Sequence, residues 1–315
     1  MTLSRRSAGL TAIAVAAGLA LAGCGSDDPE AASGDTPTVL ASFYPLAFVA
    51  ERIAGPDATV ENLTQPGVEP HDMELTGQQV GSIADAGLVL YLHGFQPAVD
   101  EAVEQNAADR ALDVAETVEL LPETEEEHEP GEESDDDEHG DLAGDPHVWL
   151  DPTNMVAIAG AVADRLAELA PESAAAFQER ADDLVGELDA LDQDYEAALA
   201  SCERHTIVTS HVAFGYLADR YGLEQVGISG ISPDAEPSPA RVAEVRQVVE
   251  DEGVTTIFYE TLVSPEVAET IADDLGIATA VLDPIEGLAD QTEGQDYLTL
   301  MHANLDALRK ANGCS

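Results

Sequence analysis

Three histidines and an aspartate stand where short apolar runs end or loops close, and together they could hold a metal ion. His71 lies in the loop after Thr59–Leu63, within Gly67-Val68-Glu69-Pro70-His71-Asp72. His147 closes a long acidic segment, in Asp145-Pro146-His147-Val148-Trp149-Leu150-Asp151-Pro152. His211 directly follows Thr206-Ile207-Val208-Thr209-Ser210, and Asp283 directly follows Ala280-Val281-Leu282. Three neutral imidazoles and one carboxylate form a closed four-donor set that suits Zn²⁺. Ca²⁺ and Mg²⁺ call for more oxygen donors. Mn²⁺ is the alternative, because selectivity rests on geometry and availability as well as donor type. A lone histidine is more often a hydrogen-bonded structural residue. The joint placement carries the expectation.

Rivals for the fourth position are close by. Glu69 neighbours His71, and Glu260 ends the run Thr256-Ile257-Phe258-Tyr259. Either could replace Asp283 or orient a histidine from behind. His93 also follows an apolar run, in Tyr91-Leu92-His93. Asp151, followed by Pro152, reads as a helix cap. Trp149, the sole tryptophan, reads as a packing residue.

The elements that must position these residues alternate. Strand-like runs at Thr38–Ser42, Thr59–Leu63 and Leu88–Leu92 are separated by helical spacing. After a helix opened by Asp151-Pro152, Phe177, Ala181, Leu184, Leu188, Leu191, Tyr195 and Leu199 recur at three- and four-residue steps, one apolar stripe of a long helix. Strand-like runs then resume at His205–Thr209, Gln225–Ile228, Thr255–Tyr259 and Ile277–Leu282. Short apolar strands alternating with helices imply parallel sheets covered on both faces. The expected fold is α/β, with two lobes joined by a long connecting helix. Residues 38–170 form the first lobe, 171–203 the connector and 204–315 the second lobe, with the metal site in the cleft between lobes. Parallel sheets bind ligands at the carboxyl ends of their strands.

The chain carries 63 acidic against 12 basic residues, a formal net charge of −51. That disfavours nucleic acid and anionic membrane surfaces as electrostatic partners and favours cations. Residues 1–23 read as a signal peptide, with Arg5 and Arg6 ahead of an apolar stretch. Leu21-Ala22-Gly23-Cys24 resembles a bacterial lipobox, which implies cleavage before Cys24 and a lipid on its sulfur. Residues 24–37 would be a flexible tether. Segment 122–145 is dense in Glu and Asp, holds His128 and His139, and cannot form a core; a purely solvating loop and a weak cation funnel are the two roles open to it. Cys202 and Cys314 remain as an even pair in an oxidising compartment, which predicts a disulfide.

Taken together, His147-Val148-Trp149-Leu150-Asp151-Pro152, Phe43-Tyr44-Pro45, Pro70-His71-Asp72, the Ser210-His211 block with Ala213, Phe214 and Tyr216, and Leu282-Asp283-Pro284 resemble the zinc- and manganese-binding substrate-binding proteins of ABC importers. The resemblance covers nearly all of the chain after the tether. It implies an extracytoplasmic, lipid-anchored monomer on the outer face of the cytoplasmic membrane, which binds metal between two lobes and delivers it to an ABC permease and its ATPase. It implies His71, His147, His211 and Asp283 as ligands. Histidine at the third position favours zinc within this family. The acidic segment departs from the histidine-rich loop of many zinc-binding members. A metal-binding adhesin or buffering lipoprotein would need the same site. A zinc hydrolase is disfavoured: there is no His-Glu-x-x-His and no nucleophile motif, so capture rather than turnover is expected.

Overall fold

The computed structural model describes residues 36–122, 144–233, 235–292 and 294–315. The signal segment, Cys24, the tether up to residue 35, and residues 123–143 with His128 and His139 lie outside the described residues.

The described strands form two sheets of four. The first holds β1 (Thr38–Ala41), β2 (Thr59–Asn62), β3 (Leu88–Tyr91) and β4 (Ala111–Asp113), in the order β2-β1-β3-β4. The second holds β5 (Thr206–Thr209), β6 (Glu224–Gly227), β7 (Thr256–Tyr259) and β8 (Ala278–Val281), in the order β6-β5-β7-β8. Every pairing is parallel, with Val39 opposite both Val60 and Leu88, and Thr209 opposite Gly227. Inner strands such as β3 and β5 are almost wholly buried, which explains their unbroken apolar or β-branched runs. The edge strands β2 and β8 are half exposed, and β2 carries the polar Glu61 and Asn62. β4 was not expected. It is a three-residue, half-buried edge strand, too short to leave a periodic signal.

Helices cover both sheets, as the alternation predicts. They are α1 (Tyr44–Ala54), α2 (Gly77–Asp85), α3 (Pro97–Asn106), α4 (Pro152–Leu169), α5 (Ala174–Leu199), α6 (Gly215–Tyr221), α7 (Pro239–Glu252), α8 (Glu266–Leu275) and α9 (Tyr297–Asn312). Asp151 caps α4 by accepting the Thr153 N–H at 2.7 Å. The 26 residues of α5 make a rod of about 39 Å at ~1.5 Å per residue. It starts after a 3-10 turn at Pro171–Ser173, and its seven expected stripe residues are its buried ones. The largest core cluster runs through α1, α4, α5 and α9 and takes in Ile207 and Phe258 from the second sheet. The Tyr195 hydroxyl fastens α5 to α9 by donating to the Met301 carbonyl at 2.6 Å. Residues 36–315 form one compact unit. No helix among the described residues is long and apolar enough to cross a membrane.

The expected disulfide is present: Cys202 and Cys314 are bonded across a sequence separation of 112. Gly313, with φ 67°, ends α9 in a left-handed turn that leads directly into Cys314. Closing a loop of that length stabilises the fold by about 4–5 kcal/mol on chain-entropy grounds. Reduction is therefore expected to lower the denaturant midpoint of the folded protein markedly. An identical midpoint with and without reductant would contradict this.

Candidate metal centre

His71 is presented by the loop after β2. Its backbone N–H donates to Glu69 Oε1 at 2.9 Å, and the Asp72 N–H donates to Glu69 Oε2 at 3.3 Å. Glu69 thus straddles the turn and shapes it. The His71 ring packs edge-on against Phe95, with centroids 4.6 Å apart. A groove of about 520 Å³ between this loop, α2 and α3 reaches His71.

His147 sits before the 3-10 turn Val148–Leu150. Asp145 Oδ1 accepts the His147 backbone N–H at 2.9 Å and lies 2.7 Å from the ring Nδ1. A carboxylate oxygen accepts, so Nδ1 carries a proton and Nε2 is the nitrogen left for a metal. His211 follows β5 and is held in the same way: its Nδ1 lies 2.8 Å from Glu260 Oε1, which also accepts from Ser210 Oγ at 2.6 Å. Such carboxylate–imidazole pairs fix the tautomer and the ring angle.

The three imidazoles converge on Glu286, which follows β8. The Nε2 atoms of His71, His147 and His211 lie 3.4, 3.4 and 3.3 Å from Glu286 Oε1. All four donor atoms lie within 4.8 Å of one another. Charge-assisted hydrogen bonds are shorter, about 2.7–2.9 Å. In a tetrahedron with bonds of about 2.0–2.1 Å, donors stand about 3.3–3.4 Å apart. The Glu286-to-histidine spacings match that edge. The three Nε2 atoms and both Glu286 oxygens are buried with no hydrogen-bond partner. Buried donor atoms that lack a protein partner and converge on one another fit a site for a bound cation.

The electrostatics agree. Burial would raise the Glu286 pKa, but His71, His147 and His211 together hold it well below the usual carboxylate value. Burial alone would lower His211, but Glu260 and Glu286 push it up to about 10. His147 is raised in the same sense, with Asp145 and Glu286 outweighing burial.

Of the residues expected from sequence, the structure brings His71, His147 and His211 together and leaves Asp283 out. Asp283 Oδ1 accepts the Ile285 N–H and Oδ2 accepts from Thr261 Oγ1, both at 2.8 Å. Its carboxylate closes its own turn instead of facing the histidines. The carboxylate that completes the cluster is Glu286, three residues on, which the sequence reading did not name. The only available signal was a second carboxylate within Leu282–Leu288. Glu69 and Glu260 shape and orient histidines. His93 stands apart, its side chain 46% exposed and its Nδ1 3.6 Å from Asp100.

Asp145 also gives a prediction. Asp145→Ala removes the partner of His147 Nδ1 and leaves the Nε2 donor in place. Zinc affinity is expected to fall about 10–100-fold, as for other orienting carboxylates. Calorimetric titration checks this, and wild-type affinity would contradict it.

A family model described as zinc-uptake complex component A, periplasmic, matches residues 39–311. The chain is 35% identical over 285 residues to the zinc-binding protein AdcA of Streptococcus pyogenes, covering 86% of this chain and 55% of that one. It thus spans about half the length of that relative. It is 33% identical over 300 residues to the high-affinity zinc uptake system protein ZnuA of Bacillus subtilis, covering 92% of this chain and 93% of that one. Among solved structures, the Zn(II)-bound ZnuA-like domain of Streptococcus pneumoniae AdcA superposes with a TM-score of 0.73 at 32% identity, covering 88% of this chain and 99% of that one.

Proposed function

The chain belongs to the zinc-uptake complex component A family, and from that premise we propose that it captures one zinc ion through His71, His147, His211 and Glu286 and delivers it to an ABC import permease. One observation carries the reading: three buried, unpartnered Nε2 atoms each stand 3.3–3.4 Å from one unpartnered carboxylate oxygen. Three imidazole nitrogens and one carboxylate oxygen favour Zn²⁺ over Mn²⁺, which prefers six oxygen-rich donors.

The four donors come from four loops, two in each half of the chain. A bound ion therefore joins the lobes, 38–170 and 204–315, on either side of the 171–203 connector. It stabilises the closed form by mass action and changes the surface offered to the permease. Four protein donors leave no open position for a catalytic water, so the site binds and does not turn over substrate. Export behind the 1–23 leader and a lipid on Cys24 would place a monomer at the outer face of the cytoplasmic membrane, beside the permease and its ATPase.

The test is the metal content of protein purified without added metal, followed by zinc and manganese titration of the stripped form. One zinc per chain, held more tightly than manganese, is expected. No zinc binding, or a preference for manganese, would overturn the reading.

A further inference from the structure

The turn that carries Glu286 is held by side chains from distant parts of the chain. The Asp283 N–H donates to Asn304 Oδ1 at 2.8 Å, and Asn304 Nδ2 donates back to the Asp283 carbonyl at 2.7 Å. The Trp149 indole N–H donates to the Pro284 carbonyl at 2.7 Å. The Ile285 N–H donates to Asp283 Oδ1 at 2.8 Å. Asn304 lies on α9 and Trp149 lies two residues past His147, so both halves of the chain grip one turn.

That turn needs gripping. Ile285 has φ 60°, the one positive φ at a non-glycine among the described residues. A β-branched residue is strained there and stays only when its surroundings over-determine it. The Ile285 side chain is fully buried, and the left-handed step delivers Glu286 inward, also fully buried.

We propose that Asn304 and Trp149 are positioning residues for the Glu286 carboxylate: by locking the Asp283–Ile285 turn they set a compact four-donor site and so select a zinc-class ion over a six-coordinate manganese-class ion. The proposal rests on the zinc-binding reading above. Asn304 is committed to the Asp283 backbone, and Trp149 gives its indole N–H to Pro284. Their effect reaches the metal through Glu286 Oε1, whose spacing to the three histidines must hold to about 0.5 Å. A loosened turn lets the carboxylate drift and admits water, which favours ions of higher coordination number.

The experiment uses Asn304→Ala and Trp149→Phe in the full mature protein. Each is followed by thermal unfolding without metal, calorimetric titration with zinc and manganese, and the visible spectrum with Co²⁺ as probe. Wild type is expected to give the intense bands of tetrahedral cobalt. The variants are expected to fold, to bind zinc about 10–100-fold more weakly, to show weakened cobalt bands, and to have a smaller zinc-to-manganese affinity ratio. If Asn304→Ala fails to fold, Trp149→Phe decides, because it removes the Pro284 bond while keeping an aromatic ring against Phe43, Phe95 and His147. Unchanged cobalt bands and an unchanged affinity ratio in the folded variants would overturn the proposal, even if zinc affinity fell. Wild-type protein lacking tetrahedral cobalt bands would overturn the zinc-site reading itself, a failure distinct from unchanged variants.

Discussion

In His211→Ala protein, zinc affinity is expected to fall by about two to three orders of magnitude. Apparent zinc-binding energies of about 10–16 kcal/mol spread over four ligands give roughly 2.5–4 kcal/mol for each. His211 is fixed from behind by Glu260 and faces Glu286 in front, so no other described side chain is poised to replace it. The same change leaves the Glu260 carboxylate buried without its imidazole. Breaking a buried pair costs about 3–5 kcal/mol, so the metal-free variant should also unfold at lower denaturant. His93→Ala is the control. That side chain is exposed and outside the cluster, and its removal should leave zinc affinity unchanged. Calorimetric titration of both variants checks the pair of expectations. Wild-type affinity in His211→Ala would remove His211 from the site.

Zinc uptake at neutral pH is expected to release at least about one proton per ion. In the metal-free protein, burial lowers the His211 pKa, but Glu260 and then Glu286 raise it to about 10 from 6.5. His147 is raised likewise, by Asp145 and Glu286 against burial. The His211 ring therefore holds a second proton at pH 7, and its Nε2 proton must leave before a metal can bind. Affinity should rise with pH across the neutral range and fall in acid. The stability of the metal-free form runs the other way. The His211 contribution is fully present below pH 6.5 and is lost as pH rises through about 10. Unfolding curves of zinc-loaded and metal-free protein should consequently separate as pH increases. Titration in buffers of different ionisation enthalpy measures the released protons directly. Heats that do not depend on the buffer would defeat this prediction.

This proton also explains how the site persists without metal. Three imidazoles around one buried carboxylate would be costly if all were neutral and Glu286 ionised. Protonated His211 supplies positive charge that a divalent ion later replaces. Glu286 serves as its counter-ion in one state and as a proposed ligand in the other. Asp145 and Glu260 keep both rings aimed in each state.

Much of this was legible in the sequence because it depends on local rules. Alternating apolar runs and helical stripes located seven of the eight described strands and the long helix α5. The cap Asp151-Pro152 located the start of α4. Loop and strand-end positions located the three histidines. The clustered carboxylate, Glu286, was not legible for a specific reason. Asp283 satisfies the strand-end rule, but its oxygens are consumed by Ile285 N–H and Thr261. The left-handed step that points Glu286 inward falls on an isoleucine, a residue that gives no warning of positive φ. That conformation is imposed by Asn304 and Trp149, whose contacts to the turn are 21 and 135 residues away in sequence. No local pattern could report them. Glu69 and Glu260 were open between ligand and orienting roles until their hydrogen bonds could be seen. His93 fulfilled the strand-end rule while its side chain turned toward Asp100 and solvent.

The most direct test of the central claim is anomalous diffraction at the zinc edge from crystals of protein loaded with one equivalent of zinc. One peak is predicted, about 2.0–2.2 Å from the Nε2 atoms of His71, His147 and His211 and from a carboxylate oxygen of Glu286. A peak bound through Asp283 in place of Glu286, or one lying outside the three histidines, would contradict the account.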